Sequence, residues 1–335
     1  MEIIPNSSVK ETYSKGNRNM KLFLNFFTIL LFLTNVPVLF AGQPGGRLLL
    51  LSPEYSISGR GTKIGQLLDP LGIAVDPSGN IYVTDTGNNR LQKFSLHGAL
   101  LAQIGGLGSG ARQFDSPRSV GAANGIDVWV ADYNNHRVQR FDRNLNLVFT
   151  FKANENWEER YQFQLPTDVR ESYQGDIFVA DGGSNCVIKY DGFRRPVAVF
   201  GGLDAGQGQI QEIGKLALSN AGEVYAADRQ SGRIVVFDYF GNFAAIFSDS
   251  LLRDPEGLAF WNDEKILFVA DPVLPGIEAF DPDGVRIPVK FLQQDPKFQL
   301  KRPVDVAVLG TRLFVLDEVQ GKVFVFRLVS RKFTR

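Results

Sequence analysis

Short apolar runs alternate with polar turn residues along most of the chain, and six of these runs end in an aspartate. In "VWVADYNNHRVQRF", an apolar run reaches Asp132, a polar turn follows, and a second run closes on Phe141. Successive aspartates lie 47, 49, 47, 43 and 46 residues apart, and an aromatic residue follows each by nine positions. A near-constant period of this length indicates a repeat architecture. The six aspartates are Asp85, Asp132, Asp181, Asp228, Asp271 and Asp317.

One copy of the repeat indicates what each unit builds. Residues 69–106 contain four apolar segments separated by turn-forming sequences, Pro-Ser-Gly-Asn, Thr-Gly-Asn-Asn and Leu-His-Gly. Four strands within roughly 46 residues form a meander with the dimensions of a propeller blade. Because one such sheet buries little surface by itself, blades pack around an axis until the ring closes. We therefore predict an all-β fold over residues 42–335, a six-bladed β-propeller of four-stranded antiparallel blades.

The repeated aspartate has a structural explanation. We expect its carboxylate to accept backbone N–H groups of the turn that follows it. We also expect the arginine five positions later, which is Arg90, Arg137 or Arg233 in three of the copies, to pair with an acid of a neighbouring blade. A part that is used six times is framework, so His136 in the second copy is assigned to the turn and not to a ligand site.

The first 41 residues form an N-terminal leader. Basic residues up to Lys21 precede an apolar run that ends at Ala41 and is interrupted by Asn35 and Pro37. This order is typical of a signal peptide and predicts an exported protein, extracellular or periplasmic. The alternative is a retained membrane anchor, because 20 residues can span a bilayer. Met20 offers a second start that would give a signal of ordinary length, so residues 1–19 are also interpreted as an upstream start-codon artefact.

Composition narrows the classes of partner. Lysine plus arginine and aspartate plus glutamate both number 36, so no net charge attracts the chain to nucleic acid or to anionic lipid. Cys186 is the only cysteine, which excludes an internal disulfide and leaves stability to a large apolar core. We expect a monomeric propeller that does not bind nucleic acid and that meets a membrane only if the leader is retained.

The segment before the first copy is expected to complete the ring. Copy six stops nine residues after Phe326, and residues 47–61 precede copy one without a blade of their own. Gly59 lies eleven residues before Pro70, a spacing close to that between the end of a last strand and the next copy elsewhere in the chain. We predict that this segment joins the sixth blade and closes the propeller.

The copies resemble NHL repeats, whose motif runs P-x-G-I-A-V-D, then G-x-I-Y-V-A-D and N-x-R-I-Q-x-F. Copy three departs from the motif at Cys186 and copy five at Pro272. The resemblance covers roughly residues 46–335 and implies a propeller that serves as a recognition platform, or in a minority of cases as an enzyme. The closest matches in the first two copies are residues 70–76, Asp85, Arg90, Asp132, Asn135 and Arg137.

Candidate binding residues lie where the copies differ. In propellers of this kind, the loop before each innermost strand and the turn after each second strand share one face around the channel. Mixed charges converge there, and they suit a polar ligand or a loop of a partner. The alternative is a solvated rim of unrelated salt bridges. The charged candidates are Arg118, Asp168, Lys215, Glu256 and Asp305.

Residues 151–166 are the longest departure from the repeat period, and they enlarge the loop before the innermost strand of the third blade. This insertion carries Trp157, Tyr161 and Phe163 among charged residues. An exposed aromatic loop on a rigid ring suits contact with protein or glycan, so Trp157 joins the candidate binding residues. The alternative is that the loop packs down as a plug or a short helix.

An enzyme is the rival functional class. The resemblance extends to peptide-amidating lyases and calcium-dependent lactonases, which place a metal at the channel mouth. His97 and His136 are the only histidines, too few for a zinc site built from several histidines. Asp168, Glu256 and Asp305 would supply hard oxygens for calcium. We expect an exported, noncatalytic binding platform without a cofactor, for a protein, peptide or glycan partner; the alternative is a calcium-dependent, lactonase-like hydrolase or lyase.

Overall fold

Six β-sheets, one for each sequence repeat, are formed by residues 46–293 and 295–332, which are the residues that the computed structural model describes. The first strand, β1 (Arg47–Ile57), precedes the first blade. Blade one contains β2 (Gly72–Val75), β3 (Ile81–Asp85), β4 (Arg90–Phe94) and β5 (Leu100–Gly105). Blade two contains β6 (Pro117–Gly121), β7 (Asp127–Asp132), β8 (Arg137–Asp142) and β9 (Leu147–Phe151). Blade three contains β10 (Pro166–Glu171), β11 (Ile177–Asp181), β12 (Cys186–Tyr190) and β13 (Pro196–Phe200).

The remaining blades follow in chain order. Blade four contains β14 (Ile213–Leu218), β15 (Val224–Asp228), β16 (Arg233–Phe237) and β17 (Phe243–Ser248). Blade five contains β18 (Gly257–Trp261), β19 (Ile266–Ala270) and β20 (Ile277–Phe280), and is followed by β21 (Val289–Phe291). Blade six contains β22 (Pro303–Leu309), β23 (Arg312–Asp317) and β24 (Lys322–Lys332). The innermost strands contact one another in the order β2, β6, β10, β14, β18, β22 and back to β2. This cycle closes the ring and confirms the predicted six-bladed propeller.

The last two blades depart from the predicted four-stranded pattern. Blade five has three strands, whereas the sixth sheet has five, in the order β21-β1-β24-β23-β22. β1 pairs antiparallel with β24, and β21 pairs in parallel with β1. Pro288 accounts for the switch, because it has no N–H to donate to β20 and its carbonyl accepts from the Leu49 N–H at 2.9 Å. The fourth strand expected for blade five therefore lies at the outer edge of blade six.

A separate apolar core fills each gap between neighbouring blades. Successive residues of a strand point to opposite faces of its sheet, so one buried strand contributes to two cores. Tyr82 packs with Val128 and Val130 of blade two, whereas Val83 belongs to the core shared with Phe314 of blade six. Burial on both faces explains why these strands read as continuous apolar runs instead of an alternation of apolar and polar residues.

The repeated aspartates are completely buried and anchor the loop that leads into their own blade. Asp132 accepts hydrogen bonds from the N–H of Asp115 at 2.8 Å and from Arg137 Nε at 2.7 Å. The prediction that the arginine pairs with a neighbouring blade is wrong, because the short turn places Arg137 directly opposite Asp132 in the same sheet. Asp85 and Arg90 repeat this arrangement in blade one, with 2.5 Å between the Asp85 Oδ2 and Arg90 Nε atoms.

His136 belongs to the same turn framework. It follows a 3-10 turn, adopts the left-handed backbone conformation with φ 51°, and its Nδ1 lies 2.6 Å from the Gln164 carbonyl oxygen in the loop before blade three. Asn89 and Asn185 occupy this position in copies one and three with the same backbone conformation. Their side-chain oxygens accept backbone N–H groups at the next blade, whereas the His136 ring donates to a backbone carbonyl there. The position therefore links consecutive blades.

The helical elements of the described residues are 3-10 turns of three residues each, and no helix in this part of the chain is long and apolar enough to cross a bilayer. The predicted leader, residues 1–41, lies outside the described residues. The 3-10 turns are Thr86–Asn88, Tyr133–Asn135, Glu159–Tyr161, Gly206–Gly208 and Pro296–Phe298.

Candidate functional site

The channel has two different ends. Each innermost strand begins at what we call the entry end, together with the turns that follow the second strands. Each innermost strand finishes at the exit end, together with the turns that follow the third strands. The charged candidates from the sequence lie at or near the starts of the innermost strands β6, β10, β14, β18 and β22, and so at the entry end.

An ion pair crosses the channel at the entry end. Lys215 of blade four extends to blade six, where its Nζ lies 2.9 Å from Asp305 Oδ2, and it also donates to the Leu71 carbonyl before blade one. Both side chains are buried. Asp305 Oδ2 accepts the Ile73 N–H at 2.8 Å as well. Burial raises the pKa of Asp305, and the neighbouring Lys215 charge opposes that rise. The pair therefore joins three blades and leaves neither charge free.

One oxygen of Asp168 is also occupied by neighbouring groups, whereas its buried Oδ1 has no hydrogen-bond partner among the described residues. Its Oδ2 accepts from Arg170 Nε at 2.9 Å and from the Leu216 N–H of the next blade at 2.8 Å. Ser119 holds the equivalent place in blade two, and its hydroxyl oxygen accepts the Val169 N–H of blade three at 3.3 Å. In blades two, three and six this position thus carries a side-chain acceptor that binds the next innermost strand, which is a structural role.

Arg118 and Glu256 remain at the entry opening. They line a cavity of about 20 Å³ together with Lys215 and Arg229, a volume that suits one water molecule or ion. The Arg118 guanidinium lies over the Tyr133 ring, with 3.6 Å between Cζ and the ring centroid. Burial raises the pKa of Glu256, whereas Lys215 and Arg229 oppose the rise. The opening brings these charges together but is too small to enclose a larger ligand.

Trp157 lies apart from the channel. Its ring is half-buried and packs against Phe151 and Tyr190, with centroid distances of 6.3 and 5.5 Å. These residues belong to the apolar core between blades two and three. The insertion carries the 3-10 turn Glu159–Tyr161, and Gln162 Nε2 donates to the Trp157 carbonyl at 2.6 Å. The insertion therefore packs against the propeller and contains a short helical turn, as in the second of the two alternatives for this loop.

The carboxylates that the sequence offered for calcium are not gathered into one site. Asp305 pairs with Lys215 and Asp168 with Arg170. Within residues 46–293 and 295–332, no three histidine, cysteine, aspartate or glutamate side chains are close enough together to hold a metal ion. The residues present therefore do not fit a carboxylate calcium site at the channel mouth.

The larger cavity lies at the exit end, which the sequence analysis did not single out. It has a volume of about 610 Å³ and is lined by the later residues of the innermost strands and by the turns that follow them. Apolar side chains such as Leu218, Phe260 and Val308 alternate there with polar ones such as Arg170 and Glu171. A cavity of this size that combines apolar walls with a few polar groups has the dimensions of a ligand or peptide site.

Three exposed aromatic rings lie at the exit end, and one of them lines this cavity. Tyr173, in the turn after β10, is 97% exposed and lines the cavity mouth. Phe193 and Phe240, in the turns after β12 and β16, are 78% and 76% exposed. We call Tyr173, Phe193 and Phe240 the aromatic rim. Single exposed apolar residues are common on protein surfaces, whereas several exposed aromatic rings at one end of a molecule mark a candidate interaction surface.

The turns do not require these phenylalanines. Phe193 and Phe240 occupy the third position of the five-residue turn between the third and fourth strands. In blade two this position is Asn144 and in blade five it is Asp283. In blades three and four an aspartate opens the turn, and its contact with the third residue is to the backbone N–H, at 2.9 Å in both blades. A polar residue therefore serves the turn equally well, and this comparison between copies is the sequence signal that would have identified the rim.

Contacts between two of the turns hold Tyr173 and Phe240 in one region. The Tyr239 hydroxyl donates to Asp176 Oδ2 at 2.7 Å, which joins the turn that carries Phe240 to the turn that carries Tyr173. Lys189 Nζ lies 3.1 Å from the same Asp176 oxygen and 3.5 Å from the centroid of the Tyr239 ring. These contacts fix the turns that present Tyr173 and Phe240.

Comparison with known proteins agrees with this architecture. The model of the NHL repeat matches residues 67–94 and 114–141. The protein brain tumor of Drosophila melanogaster is 26% identical over 140 residues, which are 41% of this chain and 13% of that relative's length. The chain is therefore a six-bladed β-propeller in which residues 67–94 and 114–141, in its first two blades, match the NHL repeat.

Solved structures with similar folds come from different functional classes. A gluconolactonase from Xanthomonas campestris has a TM-score of 0.61 at 12% identity, over 86% of this chain and 99% of that one. A chain of a nidogen/laminin complex has a TM-score of 0.55 at 14% identity, over 78% and 98%. Virginiamycin B lyase from Staphylococcus aureus has a TM-score of 0.54 at 13% identity, over 86% and 89%. At these identities the likeness establishes the fold alone.

Proposed function

We propose that this protein is an exported, noncatalytic platform that binds a protein or peptide partner at the exit end of the propeller. The observation that carries the proposal is the aromatic rim, whose three rings are solvent-exposed, two of them, Phe193 and Phe240, at positions where the turn does not need an aromatic residue. Aromatic side chains supply much of the binding energy at protein interfaces, because they bury a large area with few rotatable bonds. Rigid blades beneath the rim reduce the conformational entropy that binding would cost.

The charge distribution and the relatives are consistent with this function. The equal numbers of acidic and basic residues offer no net attraction for nucleic acid. A propeller of similar fold occurs in a nidogen/laminin complex, so the scaffold accommodates a protein partner in that case. Export rests on the interpretation of residues 1–41 as a signal peptide, and the alternative is a membrane anchor that would display the same propeller.

Capture of a partner through the rim tests the proposal. We expect the immobilised protein to retain a binding partner from extracellular fluid of its source, as identified by mass spectrometry. The double variant Phe193→Asn, Phe240→Asn should lose that partner, because it removes two apolar anchors and introduces the residue that blade two carries in the same turn.

A matched control is available on the opposite end. Leu203 is 84% exposed in the loop between β13 and β14, and the variant Leu203→Asn removes a comparable exposed apolar side chain there. This control should retain the partner. The proposed function is contradicted if the unaltered protein, the double variant and Leu203→Asn all retain the partner equally. It is also contradicted if no retained protein depends on the two phenylalanines.

Calcium addition and removal test the alternative enzyme function. We expect the same melting temperature by calorimetry in calcium and in EDTA, because Asp168 and Asp305 are already paired with cations. A ligand that binds only the folded state stabilises it by RT ln(1 + [L]/Kd), so a calcium site would raise the melting temperature. A rise of several degrees with calcium, and none with magnesium, would favour a lactonase-like or lyase-like enzyme over the platform.

A further inference from the structure

We propose that the partner segment bound at the aromatic rim is acidic, and that Arg194 binds one of its carboxylates beside Phe193. This inference rests on the proposed function and identifies the chemistry of the partner. It follows from the backbone conformation of Arg194, from the unused hydrogen-bonding capacity of its guanidinium, and from the engagement of the neighbouring carboxylates.

Arg194 occupies a backbone position that favours glycine. Its φ is 65°, in the left-handed region. The equivalent turn position holds Gly98, Gly241 and Gly284 in blades one, four and five, each with positive φ. Glycine adopts this conformation without the steric cost that other residues bear. The turn of blade three therefore folds with an arginine where glycine would be more favourable.

Blade two shows what can offset that cost. Leu145 holds the equivalent position with a φ of 64°, and its side chain is 1% exposed in the core between blades one and two. Arg194, by contrast, is exposed and buries no comparable apolar group. Its aromatic contact within the described part of the chain places Cζ 4.4 Å from the centroid of the Phe149 ring of blade two. The side chain is thus held at the junction of two blades without belonging to a core.

The guanidinium of Arg194 keeps its donors available. Among the described residues it makes no hydrogen bond or ion pair, and the Phe149 contact holds it in place without using an N–H group. A planar guanidinium held over a ring is well suited to bidentate binding of a carboxylate. Phe193 precedes it directly in the chain, so a charged and an apolar contact are presented together.

The nearby carboxylates do not compete for Arg194. Asp191 accepts from Arg195 Nε at 2.7 Å and from two backbone N–H groups of its own turn. Asp176 accepts from Tyr239 and pairs with Lys189. Acidic groups in this region are therefore already bound, whereas the Arg194 cation is free to bind an acid from outside. Charge complementarity selects an acidic segment with apolar anchors.

Selection of displayed peptides tests the inference with a defined probe. A library of random peptides of about 12 residues, displayed on phage, is selected on the purified full chain and depleted on the Phe193→Asn, Phe240→Asn variant. We expect the retained peptides to be rich in aspartate and glutamate next to leucine, isoleucine or phenylalanine. Synthetic copies should bind Arg194→Gly about tenfold more weakly than the unaltered protein, because a charge-assisted hydrogen bond is lost.

The glycine variant separates binding from folding. Arg194→Gly gives the turn the residue that three other blades use, so its melting temperature should not fall. Arg112→Gly is the matched control, because Arg112 is exposed, has a φ of 61° and lies at the entry end. It should bind the peptides as the unaltered protein does.

The outcomes distinguish this inference from the proposed function. The inference is wrong if the peptides depend on the two phenylalanines but are neutral or basic, or if they bind Arg194→Gly unchanged. Either result would still support the proposed binding platform. A selection that yields no peptide dependent on the two phenylalanines would overturn both.

Discussion

Deletion of residues 42–60 is expected to lower the melting temperature sharply or to abolish cooperative unfolding. The deletion removes β1, which pairs with β24 along its length and with β21 on its other edge. It also removes the buried residues Leu48–Leu51 from the sixth sheet. The blade that contains the two ends of the ring would then lose its closing strand, and calorimetry of the shortened chain would measure the effect.

Point variants keep this prediction testable if the shortened chain does not fold. Leu49 and Leu51 are fully buried in the core between blades five and six, and replacing both with alanine should cost about 4–8 kcal/mol. At roughly 2–4 °C for each kcal/mol, the melting temperature would fall by about 10 °C or more. Leu101→Ala in β5 is the control, because Leu101 is 52% exposed. An unchanged melting temperature for the deletion or the double variant would show that β1 does not hold the ring closed.

The variant Lys215→Met should destabilise the protein by about 3–5 kcal/mol at neutral pH, because it leaves Asp305 buried without its cation. Chemical denaturation measures this loss. Adding Asp305→Asn to the same chain should recover most of the stability, since residue 305 then carries no charge that lacks its lysine partner. Lys63→Met, at an exposed position in the entry loop of blade one, should have little effect.

The loss caused by Lys215→Met should depend on pH. Burial raises the pKa of Asp305 above its value in the unfolded chain, and removing Lys215 raises it further. A buried acid with a raised pKa destabilises the fold while it is ionised, and this penalty disappears as the pH falls through the folded pKa. The deficit at about pH 7.5 should therefore shrink at about pH 5. A deficit that is constant or larger in acid, or the absence of any deficit, would contradict the proposed role of the pair.

The repeat frame made most of the fold predictable. The aspartates at a near-constant period, with turn residues between apolar runs, determine where each blade begins and what order its strands take. The arginine partner was not predictable from spacing alone, because it depends on which residues a turn places opposite each other. Asp132 and Arg137 face each other only because a short 3-10 turn connects β7 and β8.

The channel was less predictable, because its contacts join residues that are far apart in sequence. The repeat positions placed Lys215 and Asp305 at one end of the channel, but not the distance of 2.9 Å between them across it. Mixed charge at this end therefore suggested a binding site, although Lys215, Asp305 and Asp168 form ion pairs within the protein. The exit end had a sequence signal in Phe193 and Phe240, which becomes visible when the third turn position is compared across copies.

The parallel strand β21 protects the protein against strand addition by other chains. An outermost strand offers a row of unpaired backbone groups to other chains, and the eleven residues of β1 would form a long one. β21 covers Leu49, Leu50 and Leu51, the most apolar stretch of that edge, and itself contributes only three residues. So short an outer strand is a poor template for aggregation. It lies on the blade in which the first and last strands of the ring pair.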